Sequence, residues 1–481
     1  MKASARSVIL AMLAGTSTAE RFVAPNAQSL AAFDSPLAVS MEEMKSMKIA
    51  ERGQDIAKGV FDEGRYRLQV ATPCSNGKAG EYSCKNVDLK GFLRHEDMGS
   101  QTRAGNDVWG PRVALFGDLV ADRLASLIGW TSSTGREFGI VGQTDGSAFV
   151  EILKDGSLVS LGRLPTQTSS STWRDMKVIG DHVYIGSEAP SHGLQIFDLT
   201  KLLTVDPKNP PTFDVKKDLA AHFDGFGSSH NIVAHEGNNI IYAVGTARDG
   251  KCAAGLWMVD VSDPKNPKDV GCAGADGYVH DAQCVTYNGP DTAHRGKEIC
   301  FGYNEDTLTI YDLSVRSSPK ILSRTPYQGA TYTHQGWTTG PDHRYLLLDD
   351  ELDEQKQNGA AADGRTTTYI VDAADLSKPI FTGYYKSPAK AIDHNQYVVD
   401  GLSYMSNYAS GLRVVNVTSV SHDDTGAGFE EVAFFDVRPE DDAVGGETVF
   451  KGAWSVYPYF QSGHILVNSI ERGIFSVKLT L

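Results

Sequence analysis

No two of the six cysteines in this 481-residue chain form a CxxC pair, which removes zinc knuckles and thioredoxin-type redox centres from consideration. GxSxG, HExxH and GxxxxGK[ST] are all absent, so the sequence offers no nucleophile elbow, no helical zinc-protease motif and no nucleotide-phosphate cradle. No apolar run approaches the roughly 20 residues that a membrane-spanning helix needs. Positive charge is also short. The 45 Lys and Arg against 60 Asp and Glu leave a formal charge of -15, a field that repels phosphate backbones and speaks against nucleic acid as a partner. Helical periodicity is confined to 41–58 and 112–128. With 41% hydrophobic residues the chain is too apolar to be disordered, and its 48 glycines without a three-residue period exclude collagen.

What is present begins with an address. Lys2 and Arg6 precede a short apolar stretch at 8–14 and the small residues Ser17, Thr18 and Ala19, the pattern of a secretory signal peptide over 1–19. The mature chain is therefore expected outside the cell, with an organelle reached through the secretory route as the alternative. Six cysteines suit that oxidising route. Cys284 and Cys300 fall on adjacent strand-like segments, Cys252 and Cys272 bracket one such segment and its neighbour, and Cys74 and Cys84 lie close together in the N-terminal segment, so they are expected to pair in that way. Asn416 heads the one Asn-x-Thr glycosylation acceptor, inside an expected strand.

Self-comparison reveals a repeat. GLQIFDLT at 193–200, GLWMVDVS at 255–262, TLTIYDLS at 307–314 and GLRVVNVT at 411–418 share one pattern, with weaker copies at 147–154, 367–374 and 473–479. Each alternates apolar residues at period two and ends in Asp or Asn before a turn, as a strand does. Further strand-like runs flank each copy, and repeats of this length are the mark of propeller blades. The fold class expected is all-β, a seven-bladed propeller of four-stranded antiparallel blades over 74–481. The segment around 87–94 should supply the missing strand of the last blade and close the ring. Residues 20–73 form an N-terminal extension, partly helical or disordered.

Aligning the blades on their first strand gives one residue per blade: Asp107, Asp175, His230, His280, His334, His394 and Trp454. The innermost strand of a propeller blade lines the central channel, so these side chains should ring one axis. Four of the thirteen histidines fall there in consecutive blades, and each is followed by Asn, Asp or Gln, a partner that would fix its tautomer. Converging neutral imidazoles suit a divalent transition metal such as Fe, Zn, Cu, Ni or Mn, with Asp107 and Asp175 as accessory carboxylates. The alternative is a ring of imidazoles that binds ordered water and stiffens the strand starts. A second cation candidate is the acidic run containing Asp349, Asp350 and Glu351, which could hold Ca2+. A solvated acidic turn is the reading favoured there, because EF-hand spacing is missing.

NDVW at 106–109, TWRD at 172–175, SHNI at 229–232, HDAQC at 280–284, HQGW at 334–337, LLLDDELDE at 346–354 and DHN at 393–395 occur in order. In these words the chain resembles the LVIVD-repeat propellers of the choice-of-anchor B family, from about residue 74 to the end. Cys74 and the CKNVD at 84–88 look like that family's N-terminal cysteine element. The resemblance implies a secreted or surface-displayed propeller without a settled enzymatic activity. One departure from it is the stretch 111–129, which separates NDVW from its continuation and lengthens the interval from Asp107 to Asp175. It reads as an inserted loop or a gene-model artefact. The functional expectation is a secreted or cell-surface scaffold that binds an extracellular protein, glycan or small ligand, with a divalent metal in the channel and no nucleotide. The alternative is a metal-dependent enzyme of oxygenase or hydrolase type built on the four histidines.

Overall fold

The computed structural model describes residues 38–109, 131–132 and 135–481. The expected signal peptide at 1–19 and the stretch 111–129, with its helical periodicity, lie outside the described residues. Seven antiparallel sheets follow one another in chain order, each built on four strands, and form a seven-bladed propeller. The third blade is representative, with Asn231–His235, Ile240–Val244, Leu256–Asp260 and Lys268–Ala273 paired in sequence order. Its second strand is buried along its whole length, whereas its fourth is exposed at Lys268 and Asp269 and half-buried over the next three residues. A blade packs against neighbours on both faces, so the second strand is apolar throughout and solvent exposure returns at the rim.

The repeated phrase is the third strand of each blade. Its terminal Asp or Asn is there for the turn that follows. Asp198 Oδ1 accepts from the Thr200 amide at 2.9 Å, Asp260 Oδ1 from Ser262 at 2.9 Å, Asp312 Oδ1 from Ser314 at 3.1 Å and Asn416 Oδ1 from Thr418 at 3.0 Å. One side chain thus caps the bend leading to the fourth strand in four blades.

The ring closes as the sequence suggested. Strand Val87–Arg94 lies antiparallel to Gly473–Leu479 in the last blade. A residue with a Cβ could not occupy position 473, because that atom would sit 2.1 Å from the Leu93 carbonyl and φ is 141°. A second tie was not foreseen. Strand Tyr82–Lys85 extends the sixth blade by pairing Cys84 with Phe435, and Tyr82 sits 5.5 Å from Phe435 and 5.2 Å from Phe475. The same segment therefore clamps the sixth and seventh blades together. All six cysteines pair as expected, Cys74 with Cys84, Cys252 with Cys272 and Cys284 with Cys300.

The N-terminal extension contains helix α1, Met41–Ala57, capped by Ser40 Oγ at the Glu43 amide, 3.3 Å away. It lies across one end of the channel. Val39, Met41 and Met44 cluster with Trp173, Tyr278, Tyr332, Leu352, Ile392, Tyr408, Phe450, Trp454 and Ile470, drawn from nearly every blade. No helix among the described residues is long and apolar enough to cross a membrane.

The clasp leads to a measurable expectation. Replacing Cys74 and Cys84 together by Ser releases a short covalent loop beside the closing strand and should cost about 2–4 kcal/mol, read as a lowered urea midpoint. A midpoint unchanged by the double substitution would remove the clasp from the stability of the ring.

Candidate functional site

The seven axial residues stand at the starts of the innermost strands, and all are buried. His230, His280, His334 and His394 form an arc in which neighbouring ring centroids are 4.3, 4.2 and 4.4 Å apart. Trp454 continues the arc 4.9 Å beyond His394.

Main-chain geometry sets the tautomers. His280 Nδ1 donates to the carbonyl of His334 at 2.8 Å, His334 Nδ1 to that of His394 at 2.9 Å and His394 Nδ1 to that of Trp454 at 2.5 Å. A carbonyl cannot donate, so the proton belongs on Nδ1 and the Nε2 lone pair is free. His230 differs, with Nδ1 2.7 Å from Glu188 Oε1. The residue after each histidine therefore does not fix the tautomer, contrary to the sequence expectation. Successive side chains of a strand point to opposite faces. Asn231, Gln335 and Asn395 instead brace neighbouring blades, with side-chain amides at the carbonyls of His280, Gln396 and Trp454, 3.1, 3.1 and 3.3 Å away. Burial, reinforced by His334 for the first and the third, keeps the imidazoles of His280 and His394 well below the ordinary histidine range, and burial brings His334 down to about 4.

The acidic run joins this site instead of forming its own. It is not a solvated turn: Asp349, Asp350 and Glu351 are 2%, 0% and 0% exposed. The three carboxylates also go to different places. Asp350 accepts from the amides of Thr331 and Tyr332 at 2.7 and 2.8 Å and from the Tyr327 hydroxyl at 2.6 Å. Asp349 accepts from Gln396 Nε2 at 2.7 Å. Glu351, just past the strand Tyr345–Asp350, enters the channel with Oε2 3.6 Å from His334 Nε2 and Oε1 3.5 Å from His394 Nε2. His334, His394 and Glu351 each offer a ligand atom, and these atoms lie within 4.8 Å of one another. Glu351 Oε2 has no hydrogen-bond partner among the described residues.

His230 and His280 extend the arc outside that tight group. Asp107 and Asp175 lie in the same channel, where Lys177 Nζ reaches the two Asp175 oxygens at 2.8 and 2.9 Å. Burial and the neighbouring Asp175 charge push the Asp107 carboxyl well above the usual range. The axial cavity between these groups amounts to about 20 Å3 of water-accessible space, room for one ion or water molecule.

Lys48 of helix α1 is the unforeseen member. Its Nζ lies 2.5 Å from Glu351 Oε1 and 3.1 Å from the Tyr408 hydroxyl, which itself donates to Glu351 Oε1 at 2.6 Å. The rings of Phe450, Trp454 and Tyr408 surround the ammonium at 5.1, 5.2 and 5.7 Å. Burial opposes ionisation of Glu351, but the Lys48 charge and the hydrogen bonds of Lys48 and Tyr408 hold its carboxyl below the usual range. A signal for Lys48 existed in the sequence. Met41, Met44 and Lys48 share the buried stripe of α1, and a cation on such a stripe needs a buried anion. Asn416 Oδ1 also bonds the Thr418 hydroxyl at 2.7 Å, so the acceptor amide lies at a turn at the end of its strand.

No family model and no curated protein matches the chain.

The lowered imidazole pKa values fix the sign of an acid effect. The folded state refuses protons that the unfolded chain takes up below pH 6.5, so this stability is complete above that pH and lost as pH falls toward 4. Each such histidine should cost about 2 kcal/mol between pH 7 and pH 5. In chelator-treated protein, wild type should lose about that much more stability than H280Q over this interval. An equal loss in the two proteins would contradict the neutral-imidazole assignment.

Proposed function

We propose that this chain is a secreted or surface-displayed propeller of the LVIVD-repeat, choice-of-anchor B type. Its role is that of a binding scaffold for an extracellular protein, glycan or small ligand, with a divalent transition metal held in the axial channel by His334, His394 and Glu351. Three disulfides and the shared words at the blade starts support the extracellular reading. The metal reading is carried by one observation: the Nε2 lone pairs of His334 and His394 face the Glu351 carboxylate, whose Oε2 has no donor among the described residues while Oε1 is taken by Lys48 and Tyr408. Around one ion at about 2.1 Å, tetrahedral ligand atoms stand about 3.4 Å apart; the three ligand atoms here lie within 4.8 Å of one another, so small side-chain movements would bring them onto one ion. Imidazole and carboxylate donors suit Fe(II), Zn, Mn and their neighbours, and two histidines with one carboxylate leave coordination positions open. Open positions are what a metal-dependent oxygenase or hydrolase needs. The scaffold reading leads because Lys48 and α1 close the channel end at which Glu351 lies.

Elemental analysis of protein purified without chelators should find close to one transition-metal ion per chain. H334A/H394A should carry none, and E351Q should bind at least about tenfold more weakly, a loss of about 1.4 kcal/mol. Because the Lys48 ammonium competes for Glu351, K48M should bind the metal more tightly than wild type. Metal-free protein that also fails to take up Zn, Fe(II) or Mn from solution, as wild type and as K48M, would overturn the metal reading.

A further inference from the structure

We propose that the channel mouth is a binding site for a primary alkylammonium ion, and that α1 occupies it from within the chain through Lys48. This rests on the cage around the Lys48 nitrogen and not on the metal reading. The cage is complete by the chemistry of an ammonium ion. A carboxylate oxygen of Glu351 and a phenol oxygen of Tyr408 take two of its three N–H donors. The rings of Phe450 and Trp454 supply cation–π attraction on the remaining sides.

Every cage residue comes from the propeller and none from α1. Glu351 follows the second strand of the fifth blade, Tyr408 lies in a turn of the sixth, and Phe450 and Trp454 enter the seventh. The backbone is bent to make it: Tyr408 sits at φ 30°, a conformation that a bulky side chain adopts only when its surroundings impose it. The cage therefore belongs to the ring, and Lys48 is its tenant.

Of the seventeen residues of α1, Met41, Met44, Lys48 and Asp55 are buried. Its outer ties to the ring include the exposed pairs Arg248–Glu42 at 3.2 Å and Lys356–Glu43 at 3.9 Å, which contribute little, and the better-buried Lys45–Glu188 at 2.8 Å and Lys451–Asp55 at 2.6 Å. The cage demands a cation because a fully buried Glu351 carboxylate without one is strongly disfavoured. A fixed carboxylate within an aromatic wall selects a monoalkylammonium over a neutral alcohol of the same shape.

The test uses the full chain. K48A deletes the propylammonium part of the side chain, and n-propylammonium is the probe. K48A should be saturably stabilised against heat by n-propylammonium, binding it at least about a hundredfold more tightly than wild type, where Lys48 competes. n-Propanol should have no such effect, and K48A/E351Q should lose the response. Absence of saturable stabilisation in K48A, an equal effect of n-propanol, or a response retained in K48A/E351Q would overturn the proposal. Should K48A fail to fold, K48M keeps the stem and lacks only the charged nitrogen. It should then be stabilised by ammonium chloride relative to sodium chloride at equal ionic strength, unlike wild type. Identical melting of K48M in the two salts would overturn the proposal equally.

Discussion

The positive charge that answers Glu351 governs the centre of this molecule. A carboxylate with no exposed surface stays ionised only beside a cation, since the interior charges heavily for an unpaired one. In this structure the cation is Lys48. The pairing fixes helix α1 over the channel, seals the end at which Glu351 lies, and sets the environment of His334 and His394 through the same carboxylate. Any divalent ion entering the triad brings its own two charges to Glu351 and weakens the hold on the ammonium. Metal occupancy and the docking of α1 are thereby linked through one carboxylate, and linkage of this kind is reciprocal.

The propeller supplies what that pairing exploits. Because each blade begins with the same strand in the same orientation, the carbonyl at the axial position of one blade falls beside the Nδ1 of the blade before it, at 2.5 to 2.9 Å in three successive steps. The tautomer is thus a consequence of ring symmetry, and side-chain partners are not needed for it. Symmetry ends at the third blade, where His230 turns Nδ1 to Glu188, and it is absent from the second and the seventh. Asp175 takes Lys177 as its partner, and Trp454 offers an indole face to Lys48. The channel is consequently divided, with a charged pair at Glu351, another at Asp175 and neutral imidazoles also lining it.

Repetition made the ring legible in the sequence. The third strands, their Asp or Asn turn caps, the closing strand Val87–Arg94 and the four axial histidines all recur or complete a recurrence. The parts that occur once were harder to read. Glu351 follows His334 by seventeen positions and sits among other carboxylates, so nothing local shows that it alone turns inward while Asp350 turns to the amides of Thr331 and Tyr332. Lys48 reaches the channel across some 300 residues of chain. The clamp of Tyr82–Lys85 on the sixth blade depends on a sheet edge that no periodicity reports.

Why Glu351 alone becomes the charged member follows from its neighbours. Asp349, Asp353, Glu354 and Asp393 are equally buried, yet burial and mutual repulsion push all four carboxyls upward, Asp349 to about 8. Their close partners are neutral donors or one another: Gln396 for Asp349, Tyr369 for Asp353 and the Thr367 amide for Glu354. Burial and repulsion favour the protonated form of these groups, in which they act as hydrogen-bonding acids. Of the five carboxyls in the acidic run, Glu351 is thus the one that presents its charge to the axial histidines and to Lys48. The Lys48 ammonium and a divalent metal would therefore compete for that charge.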